Sequence, residues 1–321
     1  MGKFKLKHIK NLLVDTAKSW MADEPFRQSA IISYFAIFSI PGLLIIVIWA
    51  AGMFFGEAAV QGEISSQIEE MMGPETAKGM ESFISNSYIN SSGWAMSIVG
   101  FGALLFGATT LFYHLQKSLN YLWNVEADPK SNIKKLIMDR VSSLGLILVI
   151  AFLLLISLVL SSILNILSGW IAGIIGEGLF YLMEGIDFIL GFGIVTVLFA
   201  VMFKFLPDVD IKWRSVWIGA MVTALLFSIG KTLLGIYFGI ADPTSGFGAA
   251  GTVIIVMLWV NYTCLILFFG AEFTQVFAKN YGHDIQPSKH AKWSDSYIMK
   301  REKENRDNAL KEHENIIRTK M

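Results

Sequence analysis

Apolar residues in this chain do not alternate with polar ones; over most of its length they gather into six long runs, at 31–55, 94–115, 141–166, 188–205, 216–240 and 251–276. A helix rises 1.5 Å per residue, so about 20 apolar residues cross about 30 Å of hydrocarbon, and the runs meet that length. The fourth is the shortest, and apolar residues at 180–186 extend it. The pattern predicts an all-α, polytopic membrane protein built as a six-helix transmembrane bundle.

The segments between and around the runs carry weaker helical signals. In 57–92, Val60, Ile64, Ile68 and Met71 keep helical spacing up to Gly73-Pro74, and the pattern resumes around Met80, Phe83 and Ile84. Two short helices on the outer surface are expected there. At the start, Phe4, Ile9, Leu12, Leu13, Ala17 and Trp20 are interleaved with lysines. That suits either an N-terminal interfacial helix on an anionic leaflet or a helix packed under the bundle. From about His283 the chain is dense in charges of both signs, the composition of a solvated, partly disordered tail. The resulting division is a basic amphipathic segment at 1–28, a six-span domain at 29–280 and a charged tail at 281–321. Pro41 in the first run, and Gly100, Gly102 and Gly107 in the second, predict a kink and a close helix contact. Asp208 and Asp210 are expected to cap the turn into the fifth run, and Asp242-Pro243 to turn the chain outside.

Composition supports the membrane reading: 54% of the 321 residues are hydrophobic, 16% are charged and the mean hydropathy is +0.54. The 26 basic and 26 acidic residues cancel, so net charge gives no reason to expect a nucleic-acid partner; membrane lipids are the expected surroundings. The distribution of basic residues is uneven. They fill the N-terminal segment, the connections after the second and fourth runs, and the tail from Lys279, whereas the odd-numbered connections hold only Lys78. Because basic loops stay in the cytoplasm, both ends are predicted to be cytoplasmic. About thirty mostly polar residues precede the first run, which is therefore expected to be an uncleaved span. The single cysteine, Cys264, excludes an intrachain disulfide.

One basic residue remains within a run. Lys231 lies nine residues from the outer end of the fifth span, about 13 Å deep, and a charge in hydrocarbon costs roughly 2.5–3.5 kcal/mol on insertion scales. Ala224, Ser228 and Gly235 share its helical face. Counting along the other spans puts Ser157, Thr196 and Asn261 at the same depth, which suggests a polar belt around one cation, suited to an anionic or amphiphilic solute. The alternative is interhelical hydrogen bonding with Lys231 snorkelling outward. Glu272, near the inner end of the last span, is about 18 Å from Lys231 along the normal, beyond a lysine's reach. It is expected to act as a structural intramembrane charge, near Lys204, Lys212 or Arg214 or against a neighbouring helix end. His8, His114, His283, His290 and His313 never approach metal-ligand spacing, and no P-loop, H-E-x-x-H or G-x-S-x-G occurs. No metal, no cofactor and no enzyme activity are expected.

Several segments together resemble the YihY/BrkB family of bacterial inner-membrane proteins, once labelled ribonuclease BN: YFAIFSIPGLL at 34–44, LNYLWNV at 119–125, FKFLPD at 203–208, WRSVWIGA at 213–220, Lys231 with Tyr237, and GFGAAG through LWVNY to FFGAEF between 246 and 273. The resemblance covers roughly 25–280 and implies six spans with cytoplasmic ends, in agreement with the charge count. It also implies lysine and glutamate as the usual types at the positions of Lys231 and Glu272. The nuclease label is not followed, because RNA hydrolysis needs a metal cluster or paired acid and base in an aqueous cleft, and the H-x-H-x-D-H signature is missing. The sequence thus points to a transporter or lipid-handling protein, or alternatively to a non-transporting scaffold that binds a partner through 57–92 or the tail.

Overall fold

The computed structural model describes residues 6–87, 94–127, 178–241, 249–281 and 285–320, with Gly145, Ile147, Val149 and Leu153. Apart from those four residues the third predicted span lies outside the described residues, as does Asp242-Pro243. Nine helices are described: α1 Leu6–Ala22, α2 Pro25–Phe55, α3 Glu57–Met72, α4 Pro74–Ser87, α5 Trp94–Leu122, α6 Gly178–Phe205, α7 Trp213–Ala241, α8 Ala249–Asn280 and α9 Asp295–Lys320. Four of them contain segments long and apolar enough to cross a membrane, Pro25–Phe55, Phe188–Phe205, Trp213–Phe238 and Ala250–Asn280. These correspond to the first, fourth, fifth and sixth runs, and α6 does begin well before Phe188.

The chain changes direction where the sequence supplies turn chemistry. Glu24 adopts a left-handed conformation (φ 50°) between α1 and Pro25, which opens α2. Gly73 (φ 89°) ends α3 and Pro74 opens α4, so the break falls at the expected dipeptide. A β-carbon there would strain the positive φ, the usual reason for glycine at such a stop. The α3–α4 hairpin does not simply lie on a surface. A Cβ built at Gly79 on α4 would fall 2.5 Å from the Thr252 Oγ1 of α8, so the hairpin packs tightly onto the last span. α2 runs through Pro41 as one helix, and Ile37, Ile40 and Pro41 line an apolar pocket with Met80, Val253 and Val256. Gly107 makes the expected close approach: its Cβ position is 3.4 Å from the Phe38 carbonyl of α2, whereas Gly102 faces open space.

α7 and α8 pack through a reciprocal pair. The Thr274 side chain fills the space over Gly219, and the Thr223 side chain fills the space over Gly270. Each hydroxyl donates to the carbonyl of the glycine four residues earlier on its own helix, Thr223 to Gly219 and Thr274 to Gly270, both at 2.7 Å. The polar atoms are thereby satisfied while the backbones come close, the usual basis of association between membrane helices.

The far end of the bundle is closed by the segment after α8, a point where the sequence expectation fails. Instead of a disordered tail, two short ladders form: β1 Val125–Ala127 pairs antiparallel with β4 Ala291–Trp293, and β2 Val209–Asp210 with β3 Gln286–Pro287. Lys292, directly opposite Glu126, pairs with it at 2.9 Å and with Asp295 at 3.0 Å. A strap of a few residues thus joins the ends of α5, α6 and α8 before α9 departs, exposed over most of the positions with described burial. Charge density hid this pairing, because two- and three-residue strands bury too little apolar surface to leave a periodic signal. The opposite end carries the α3–α4 hairpin, and the two are called the laddered and hairpin ends below.

Candidate functional site

The residues expected to form a polar belt stand as follows. Lys231 is half-buried on α7, one position after Gly230, whose missing side chain leaves room for the Tyr262 hydroxyl of α8. Asn261 directs its amide to Ser29 of α2, Nδ2 donating to Oγ at 3.1 Å. Thr196 is buried on α6 and its hydroxyl donates to the Phe192 carbonyl at 2.8 Å. Ser157 lies outside the described residues. Tyr262 was missed by the count because it belongs to the helix face that meets Gly230, a contact no single-chain periodicity reveals.

The laddered end holds the denser arrangement. Asn120 of α5 clamps Asp208 after α6: its Nδ2 donates to Asp208 Oδ2 at 2.9 Å, and its Oδ1 accepts from the Asp208 backbone N–H at 2.8 Å. The Asp208 carbonyl then accepts from the Ser288 N–H at 3.0 Å. Asp208 is therefore a three-way junction rather than a cap on α7. Trp123 is fully enclosed, and its indole N–H donates to the Ala271 carbonyl of α8 at 3.1 Å. Lys204 donates to the Ile211 carbonyl at 2.7 Å with its ammonium 6.0 Å from the Trp213 ring centroid. The 119–125, 203–208, 213–220 and 268–273 segments, far apart in sequence, thus meet at one end of the molecule.

Glu272 stands next to that junction. Its side chain is 0% exposed, and among the described residues no group donates a hydrogen bond to either carboxylate oxygen. The ionisable group that acts on the Glu272 carboxyl is Asp23, in the α1–α2 turn. Asp23 is half-buried, and burial pushes its carboxyl above the usual value of 3.8, with the Glu272 hydrogen bond and the Lys300 charge opposing. α1 places Asp23 there by packing on α8. Leu12 is buried with Phe273 and Phe277, and the Trp20 ring meets Phe269 edge-on at 6.0 Å. Leu13, Val14 and Met21 face away and are exposed beside Lys10 and Lys18. α1 is therefore docked on one face and exposes apolar and basic side chains together on the other. The signal for Asp23 was its place just before Pro25, which marks a turn and says nothing of what the turn touches.

Four apolar helices of membrane-crossing length define the chain as a polytopic helical membrane protein. Within that class it belongs to the family described as Virulence factor BrkB, whose model matches residues 16–294. It is 25% identical over 232 residues to a UPF0761 membrane protein of Verminephrobacter eiseniae, covering 71% of this chain and 52% of that protein. A UPF0761 membrane protein of Delftia acidovorans is 26% identical over 181 residues, 56% of this chain and 41% of that one. One from Alteromonas mediterranea is 25% identical over 245 residues, 76% and 79%. The chain spans about half the length, or less, of the first two relatives. No solved structure matches it.

Proposed function

We propose that this chain is a six-span protein of the bacterial inner membrane, both ends cytoplasmic, that binds and moves an anionic or amphiphilic solute between its helices. Lys231 is the cationic contact, with Asn261, Thr196 and Ser157 as polar partners. The observation that supports this reading is a half-buried lysine within the 26-residue apolar stretch Trp213–Phe238. Ionisable groups at such depth are unfavourable unless they face a partner, an aqueous cavity or a ligand. The Tyr262 hydroxyl beside Gly230 adds a hydrogen-bonding group. An amide carries two N–H donors and a carbonyl acceptor, so Asn261 keeps further hydrogen-bonding capacity beyond its bond to Ser29.

The test uses anionic phosphatidylglycerol as the probe. Full-length protein in nanodiscs of phosphatidylglycerol and phosphatidylethanolamine is released into native mass spectrometry, and retained lipids are counted for wild type and Lys231→Met. Preferential retention of phosphatidylglycerol by wild type, falling about tenfold in the variant, is the expected result; about 1.4 kcal/mol for one charge contact corresponds to that factor. Equal retention of both lipids by both proteins overturns the assignment. A scaffold reading is favoured by the exposure of α9. It predicts that Lys231→Met is silent in cells and that removal of residues 295–320 is not.

A further inference from the structure

The contact between Asp23 and Glu272 joins two acceptor-only groups. An ionised carboxylate has no hydrogen to give, so two ionised carboxylates within hydrogen-bonding reach repel and bond nothing. One proton converts the same contact into an O–H···O bond, the arrangement of carboxylate dyads that share a proton because both cannot ionise side by side. Glu272 is wholly enclosed and, among the described residues, receives no other donor, and Asp23 reaches it from the turn between α1 and α2. We propose that Asp23 and Glu272 form a proton-binding site that holds one proton between them, and that this proton fastens α1 to the last span.

The surroundings fit a proton rather than a metal ion. Among the described residues no three His, Cys, Asp or Glu side chains gather as a metal would need. α1 contributes Trp20, whose buried indole N–H has no hydrogen-bond acceptor. α5 contributes Trp123, whose N–H is occupied by the Ala271 carbonyl. α7 contributes apolar Ile218 and Val222 beside Phe273. Across the turn Glu24 and Arg27 pair with each other. Lys300 of α9 is the positive charge that acts on Asp23. With burial outweighing that charge, Asp23 binds a proton more tightly when α1 is docked than when it is released. Docking is therefore complete at pH below the ordinary carboxylate value and weakens as pH rises through the docked value. Uptake of one proton changes the docking equilibrium by up to about tenfold per pH unit within that window. The site is independent of any solute at Lys231.

The experiment is hydrogen exchange of residues 6–22 in full-length protein in nanodiscs across a pH series, corrected for intrinsic exchange, together with the infrared C=O band of protonated carboxyl groups. In wild type, α1 exchange rises steeply with pH, and a protonated-carboxyl band persists at neutral pH. In Glu272→Gln the amide donates to Asp23 at any pH, so the slope flattens and the band is lost. Asp23→Asn flattens the slope in the same way, and it carries the test if Glu272→Gln fails to fold. Wild-type slopes in either folded variant, or no protonated-carboxyl band in wild type at neutral pH, overturn the proposal.

Discussion

The two ends of the bundle are held by different means. At the laddered end, side chains are committed to particular partners: Asn120 to Asp208, Trp123 to Ala271, Asp23 to Glu272, with two backbone ladders over them. Toward the hairpin end, the described contacts are mostly apolar and small-residue packing, as in the Ile48, Ala51 and Val60 cluster and the Gly79–Thr252 approach. Directional bonds fix which elements meet, whereas smooth apolar contacts leave neighbouring helices freer to slide. The contrast is between a directional base at one end and smoother, more adjustable packing at the other. Its strongest test is Trp123→Ala. Loss of a fully enclosed indole and its hydrogen bond is expected to cost about 3–5 kcal/mol, read as a lowered unfolding midpoint in detergent. A midpoint within error of wild type breaks the comparison.

The Asn120 clamp gives a smaller effect at the same end. Asn120→Ala removes a donor and an acceptor together and leaves the part-buried Asp208 N–H without its partner. A cost of about 1–3 kcal/mol is expected for such an orphaned group. Asp210→Ala, on the exposed position of the same ladder, is expected to stay within about 0.5 kcal/mol. If the two variants unfold at the same denaturant concentration, the clamp is not part of the base.

The apolar helices α2, α6, α7 and α8 were readable from sequence because apolar length is a strong, local signal. The Gly73-Pro74 break and the Gly107 contact were readable for the same reason: they depend on backbone chemistry at one position. The base was not. Asp208 looks like any turn aspartate until Asn120, 88 residues earlier, is seen to grip it. The tail looked solvated because its charges outnumber the few residues that pair in β3 and β4. Glu272 was singled out by its depth in an apolar run, but its partner lies in a turn 249 positions away, beyond any periodicity argument. Lys231 was legible as an anomaly, and Thr196 and Asn261 as polar residues within apolar runs. Their hydrogen bonds to Phe192 and Ser29 depend on helix rotation, which residue counting fixes only to within a face.

Glycines sharpen the comparison with the smallest effects. All those considered sit in apolar helices, where Gly→Ala by itself favours the helix by about 1 kcal/mol. At Gly219 and Gly270 the new methyl group meets Thr274 and Thr223 of the opposing helix, held by their own hydrogen bonds. The threonines cannot swing away without leaving those bonds, so overpacking of about 1–3 kcal/mol is expected to outweigh the helix gain. At Gly107 the methyl group reaches only ordinary contact distance from the Phe38 carbonyl, and at Gly102 it meets nothing. Those two substitutions should be neutral or slightly stabilising. A further pairing isolates the cause: Thr274→Ala removes the hydroxyl, the Thr274 atom nearest the space over Gly219, so Gly219→Ala should be milder in that background. The coupling, read from a thermal double-mutant cycle, is expected at about 0.5–1 kcal/mol. Strict additivity would mean that α7 and α8 do not interlock at this point, and that their close approach is set elsewhere.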